Sequence, residues 1–152
     1  MTEALWYLGR GSGLCSLVLL TVVVALGIGN RSGRELFGLP RFAVALVHRN
    51  AALLSVAFLA MHVTTLLFDP YAQLTLVDLV LPFAGTYRPF WLGLGTLALD
   101  LVAALVVTSL LRQRLGRRSW KAVHWLAYAA WPVALLHVWV PVPTPVACGC
   151  NS

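Results

Sequence analysis

Four histidines are the residues of this chain whose type and spacing could do chemistry. His48 and His62 are fourteen positions apart in one apolar run, and His124 and His137 are thirteen positions apart in another. At a helical rise of about 1.5 Å per residue, these separations correspond to about 21 Å and about 19.5 Å. Two helices that carried these residues in the same direction would present two histidine pairs at two matched depths.

Paired imidazoles of this kind are suited to hold heme. Two neutral imidazoles that face each other across a gap can ligate one heme iron from both sides. For any single histidine the alternative is a hydrogen bond between helices. The histidines are a poorer ligand set for a different metal ion, since no carboxylate or thiolate lies at either level. We therefore predict heme as the cofactor, with at least one and up to two hemes per chain, ligated by His48 with His124 and by His62 with His137.

The angular spacing fits one helix better than the other. At about 100° per residue, fourteen steps return His62 to within about 40° of the helix face that carries His48. Thirteen steps turn His137 about 140° away from His124. Pro132 lies between His124 and His137, and a proline in a helix can bend it and reset its register.

Membrane-spanning helices must position these histidines. Of the 152 residues, 60% are hydrophobic and 11% are charged, whereas a soluble domain carries about 25% charged residues. Crossing about 30 Å of hydrocarbon takes about 20 apolar residues, and only a helix satisfies its own backbone within one segment in lipid. We predict an all-α integral membrane bundle with four transmembrane helices, at Gly11–Gly29, Phe42–Phe68, Phe90–Leu111 and Trp120–Val140.

The positive charges predict an orientation. Two loops, after the first and third helices, hold eight Lys and Arg residues, whereas the opposite side holds Arg10 and Arg88. The positive-inside rule places both basic loops in the cytoplasm, so both termini would face outward from a plasma membrane. The net charge of +6 is therefore interpreted as membrane topology rather than nucleic-acid binding. The eight residues are Arg31, Arg34, Arg41, Arg112, Arg114, Arg117, Arg118 and Lys121.

Two arginines are candidate ligands for heme propionates. Arg49 follows His48, and a buried arginine needs an anion. A propionate could accept its guanidinium fork, Asp100 in the third helix is the other candidate anion, and snorkelling to the interface is the alternative. Arg88 could meet the propionates of the outer heme or serve as an interfacial anchor.

The remaining segments carry weaker signals. The run Gly9–Gly13 reads GRGSG, but no strand precedes it, so we interpret it as an interfacial loop rather than a dinucleotide site. The proline-containing segment Asp69–Pro89 is predicted to lie along the interface or to fold back as a short lid. Residues 1–140 would form the heme-binding transmembrane domain, and residues 141–152 an irregular outer tail.

These residues resemble the ferric reductase-like transmembrane domain family. That family includes ferric reductases, NADPH oxidases and the heme-binding membrane subunit of a bacterial methionine sulfoxide reductase system. The resemblance rests on H-R-N followed by the second histidine, His62, and on W-K-A-V-H-W-L-A-Y followed by His137. It covers about Trp6 to His137 and implies bis-histidine b-type hemes, with electrons moving from a cytoplasmic reductant to an outer-side acceptor.

The chain differs from the family at its C-terminal end. Relatives continue through a polar outer loop into another helix, so we expect a truncated or altered C terminus here. No flavin or nicotinamide domain follows, so a partner reductase or a quinol would supply the electrons to this oxidoreductase component. Two alternatives stay open: a transporter or proton- or ion-conducting subunit that uses Arg49, Asp100 and the histidines as a relay, and a redox-inert accessory subunit.

Overall fold

The structure is a computed structural model that describes residues 2–31, 38–69, 76–83 and 89–139. Within those ranges the chain is helical and contains no β-strand, which confirms the predicted all-α class. The helices are α1 (Thr2–Arg31), α2 (Arg41–Phe68), α3 (Pro89–Leu110), α4 (Arg112–His124) and α5 (Ala127–Val138).

Three helices are long and apolar enough to cross a membrane. They are Ala4–Arg31, which makes up most of α1, together with the whole of α2 and α3. Large apolar side chains such as Leu53, Leu54 and Val107 are exposed on these helices, as expected for faces that contact lipid. The structure therefore supports an integral membrane protein.

The predicted fourth span, Trp120–Val140, is divided between two helices. Its first part belongs to α4, and its second part is α5, an apolar helix of 12 residues. A helix of that length is shorter than the hydrocarbon thickness. The described helices thus give three spans by length and composition, and the count of four is not confirmed.

The turn between α4 and α5 changes the angular register of the last histidine. The N–H groups of Leu126, Tyr128 and Ala129 donate to carbonyls three residues earlier. Such a 3₁₀ turn advances about 120° per residue rather than about 100°. It therefore reduces the difference in angle about the helix axis between His124 and His137. This turn precedes Pro132, which lies inside α5.

Packing joins the helices in two groups. α1 packs along α2, α3 packs against α5 and α4, and α1 also contacts α5. In the first interface Ser16 Oγ donates to the Ser55 carbonyl at 2.9 Å, and Ser55 Oγ donates to the Ser16 carbonyl at 3.0 Å. Within the described ranges α2 makes no extensive contact with α5, and α1 contacts both of these helices.

The prediction of an interfacial loop at Gly9–Gly13 is wrong. α1 begins at Thr2 and continues through this run. Gly9 and Ser12 are buried there, and Ser12 Oγ donates to the Leu8 carbonyl at 2.7 Å. Glycine has low helix propensity, but propensity is a weak prior that tertiary packing overrides. Gly9 and Gly13 therefore belong to the packed surface of α1, whereas Gly11 between them is exposed.

The segment between α2 and α3 is described only in part. Residues 76–83 form turns that pack on α3. Thr96 Oγ1 donates to the Asp78 carbonyl at 2.7 Å, and the ring of Phe83 lies against Gly93. This part of the segment therefore covers one face of α3, and the prediction of an interfacial or lid-like position stays a prediction.

Candidate functional site

His48 on α2 and His124 at the end of α4 face each other. Their ring centres lie 6.4 Å apart, and their planes meet at 61°. An ion bonded at about 2 Å to one nitrogen of each ring would separate the ring centres by roughly 6 Å. Two rings on opposite sides of an iron can rotate independently about their common axis, so this angle is compatible with ligation. His48 and His124 would therefore be the residues that hold the iron of one heme, which stays a prediction.

A hydrogen bond sets the tautomer of His48. Its Nδ1 lies 3.0 Å from the carbonyl oxygen of Val23 on α1. A carbonyl only accepts, so Nδ1 carries the proton and the Nε2 of the neutral ring keeps its lone pair. Histidines that ligate metals are commonly oriented by such a bond through their other nitrogen. His48 therefore has the tautomer that a ligand needs.

His62 and His137 are the second predicted pair. The Nδ1 of His62 lies 2.6 Å from the carbonyl of Gly9 on α1, and the Nδ1 of His137 lies 2.9 Å from the carbonyl of Trp91 on α3. Both rings therefore also carry the proton on Nδ1 and leave Nε2 free. Each ring is thus held by one neighbouring helix, and the pairing of His62 with His137 stays a prediction.

His124 is held by packing instead of a hydrogen bond. The Trp120 ring stacks on it, with centres 4.9 Å apart and planes at 24°. The Nδ1 of His124 and the Nε1 of Trp120 are both buried and have no hydrogen-bond partner in the described ranges. An unpaired buried polar group costs about 1–3 kcal/mol. Burial of these two nitrogens therefore opposes the stabilisation that the ring stacking provides.

The helix directions place the pairs at two levels. On α1, Gly27 adjoins His48 and Gly13 adjoins His62, so α1 and α2 are antiparallel. α1 is also antiparallel to α5, because the guanidinium of Arg31 lies 4.5 Å from the centre of the Trp125 ring and Thr21 contacts Trp131. α2 and α5 therefore run in the same direction, which is the arrangement that the two histidine spacings require.

The predicted charged residues are not brought to a common partner. Arg49 is exposed on α2, and Asp100 is half-buried on α3. In the described ranges neither side chain forms a hydrogen bond or ion pair, so the alternative of an Arg49–Asp100 pair has no support. Arg88 lies outside the described residues. Binding of propionates by Arg49 and Arg88 stays a prediction.

The described residues form no larger cluster of metal ligands beside the histidines. In the parts of the chain that the structure describes, no group of three or more His, Cys, Asp or Glu side chains converges. Heme iron takes only its axial ligands from the protein, because the porphyrin supplies the others. Two histidines for each iron would therefore be enough for heme, and heme binding stays a prediction.

Sequence reasoning missed the groups that orient the imidazoles. These are the backbone carbonyls of neighbouring helices, and glycines lie beside three of the rings. One signal was available: Gly13 and Gly27 have the same separation along the chain as His48 and His62. Equal spacings on two antiparallel helices allow both contacts to form at once. The carbonyls themselves leave no mark in the sequence.

Comparison with known proteins adds one finding. A family model described as "Ferric reductase like transmembrane component" matches residues 12–135. The matched range contains His48, His62 and His124 and ends two residues before His137. No curated protein matches the chain, and no solved structure matches it.

Proposed function

Because this chain belongs to the family of ferric reductase like transmembrane components, we propose that it is a b-type cytochrome that carries electrons across a membrane. The donor would be a partner reductase or a quinol on the cytoplasmic side, and the acceptor would lie at the outer surface. The protein would be the electron-transfer component of an oxidoreductase system.

One observation carries the proposal. The ring centres of His48 and His124 lie 6.4 Å apart, close to the roughly 6 Å that an ion bonded to one nitrogen of each ring would leave between them. The His48 hydrogen bond to Val23 leaves the Nε2 lone pair available for ligation. A helix–helix hydrogen bond alone explains the Nδ1 contact, but it does not explain why a second imidazole faces the same gap.

The four histidines would act as two ligand pairs. His48 with His124 would hold one heme b, and His62 with His137 a second, because each pair lies at one depth on helices that run in the same direction. When bound, heme supplies one-electron transfer, and the protein supplies burial, orientation and hydrogen bonds. The hydrogen bonds at Nδ1 would fix ring orientation and raise ligand basicity.

A fourth membrane crossing belongs to this proposal. α4 contains a break at Gly116, where φ is 73° and ψ is 158°. Beyond that break, Trp125 and Leu126 retain right-handed helical dihedral angles between α4 and α5. The helical path from Arg117 to Val138 therefore spans about 33 Å at about 1.5 Å per residue. That length reaches across the hydrocarbon, with the break at its cytoplasmic end.

The charge distribution supports the proposed orientation. Arg112, Arg114, Arg117, Arg118 and Lys121 are all exposed on α4, at the end of the bundle that holds His124. The positive-inside rule places that end in the cytoplasm and both termini outside. Arg49, exposed one residue from His48, would pair with a propionate at this end. Arg88 would do so at the outer level.

An absorption spectrum of the purified full chain tests the function. We expect b-type bands in the reduced-minus-oxidised difference spectrum, and a heme titration that saturates at about two hemes per chain. His48→Ala should lose part of this signal, whereas Asn50→Ala, which changes an exposed polar residue on the same helix, should not. A wild-type chain that bound no heme would refute the proposal.

A further inference from the structure

His62 reaches α1 through a gap that a glycine leaves open. Its Nδ1 donates to the Gly9 carbonyl at 2.6 Å. A Cβ placed on Gly13, four residues later in α1, would lie 2.8 Å from that same Nδ1. Other heavy atoms essentially never approach a real Cβ within 3.0 Å. The imidazole therefore occupies the place that any side chain at position 13 would need.

His137 meets α3 in the same way. Its Nδ1 donates to the Trp91 carbonyl at 2.9 Å, and Gly95 follows that carbonyl by four residues. A Cβ placed on Gly95 would lie 2.7 Å from the Cε1 of the ring. Two different helices thus present the same combination of a carbonyl and a glycine to the two histidines of one level.

Helix geometry explains the four-residue offset. In an α-helix the N–H of one residue donates to the carbonyl four residues earlier, which retains a second lone pair. The Cα–Cβ bond of that later residue tilts toward the N terminus, and so toward this carbonyl. A side chain there blocks access to the second lone pair. A glycine at that position opens the carbonyl to a donor from a neighbouring helix.

We propose that Gly13 and Gly95 are positioning residues that set the tautomer and orientation of His62 and His137, the histidine pair of the outer level. Because Gly13 and Gly95 carry no Cβ atoms, His62 and His137 donate from Nδ1 to helix carbonyls, which leaves the Nε2 of each ring for a ligand. Their role as positioners of heme ligands rests on the proposed function. The effect on ring orientation and tautomer does not, because it follows from the contacts alone.

His48 and His124, the pair of the inner level, depend less on a neighbouring glycine. His48 donates to the Val23 carbonyl, and Gly27 stands four residues after it. A Cβ at Gly27 would meet the Cε1 of His48 at 3.5 Å, which is an ordinary van der Waals contact. His124 stacks on Trp120 instead. Alanine at Gly27 should therefore be tolerated, whereas alanine at Gly13 or Gly95 should displace a ring.

Two other glycines serve as matched controls. Gly11 lies in α1 between Gly9 and Gly13, and a Cβ there would meet nothing within 4 Å. Gly93 lies in α3 between Trp91 and Gly95, and its Cβ would meet the ring of Phe83 rather than a histidine. Gly11→Ala controls for the added methyl group, and Gly93→Ala controls for a steric clash that involves no ligand.

The test combines two measurements on the full chain. Heme content and the low-temperature absorption spectrum of the reduced protein separate the two sites in wild type, G11A, G13A, G27A, G93A and G95A. In parallel, ¹⁵N NMR of histidine-labelled, heme-free chain in lipid nanodiscs identifies which ring nitrogen carries the proton. The second measurement needs no cofactor and reports on the imidazoles directly.

We expect G13A and G95A to lose the same spectral component and about half of the heme, while G11A, G27A and G93A keep both components. In the heme-free chain, G13A should remove the Nδ1–H signal of His62, and G95A that of His137. If G13A and G95A kept the tautomers and spectra of the wild type, the proposal would be overturned. An equal loss of heme in G11A would overturn it as well. If the wild type bound no heme, the proposed function would fail. The NMR comparison would still decide whether Gly13 and Gly95 position the two rings.

Discussion

Trp131 of α5 donates its indole N–H to the hydroxyl of Thr21 on α1 at 3.0 Å. Trp131 follows His124 by seven residues and precedes His137 by six, so the bond lies between the two histidine levels. It joins the pair formed by α1 and α2 to the pair formed by α3 and α5. The separation of the facing histidines depends on the separation of these two pairs, and this bond helps to set it.

A double-mutant cycle at this bond should show coupling. Trp131→Phe removes the donor, Thr21→Val removes the acceptor, and either change breaks the same bond. We expect each to lower the free energy of unfolding by about 0.6 kcal/mol, with little further loss in the double variant. Unfolding in mixed micelles measures this, and Thr64→Val, which alters a hydroxyl bonded within its own helix, is the control. Fully additive losses would show that the bond contributes nothing.

Ser16 on α1 and Ser55 on α2 should instead contribute to the free energy of unfolding independently of each other. Each hydroxyl of Ser16 and Ser55 donates to the other residue's backbone carbonyl, whereas the two hydroxyl oxygens lie 3.4 Å apart. Ser16→Ala therefore leaves the Ser55 donor bond intact, and the reverse also holds. We expect each substitution to lower the free energy of unfolding by about 0.6 kcal/mol, with additive effects in the same assay. A strong coupling energy would mean that the hydroxyls bond to each other.

The histidine pairing predicts which heme each substitution removes. His48→Ala and His124→Ala should lose one spectral component, because those imidazoles face each other. His62→Ala and His137→Ala should lose the other component. Low-temperature difference spectra and heme content of the four variants check this. Loss of one shared component in His48→Ala and His137→Ala would contradict the depth assignment, and a double variant within one pair should lose no more than its single variants.

Asp100 separates the cytochrome from a proton- or ion-conducting subunit. Its carboxylate is half-buried on α3, and a charge inside a membrane is costly. If electron transfer is the function, Asp100→Asn should keep full heme content and full electron transfer between two compartments of a proteoliposome. Thr108→Ala on the same helix is the control. A proton flux that Asp100→Asn abolished, with electron transfer absent in wild type, would favour the relay.

Much of the helical architecture could be predicted from the sequence, but some boundaries could not. The apolar runs located α2 and α3 closely, because hydropathy is a property of the segment itself. The same approach began the first helix too late, at Gly11, since local glycine content was taken as a loop signal. Here packing against α2 keeps Gly9 and Ser12 buried in α1, and the residues of α2 that do so are distant in the chain.

Part of the histidine site could likewise be predicted from the sequence, and part could not. The helical rise per residue alone gives matched depths for the four histidines, because it needs no knowledge of neighbours. Rotation about the helix axis was not predictable for His137, since it depends on the 3₁₀ turn before Ala127. The exposure of Arg49 was likewise open, because a side chain's surroundings depend on which helices pack beside it.

By itself, the sequence determined the family, the apolar helices and the two levels at which histidines occur. These features follow from composition and from spacing along one segment, which lipid enforces by requiring each backbone to satisfy its own hydrogen bonds. Only the tertiary structure decided which carbonyl each imidazole meets and which glycine makes room for it. Those contacts join residues from different helices, and backbone carbonyls look alike in every sequence until packing selects one of them.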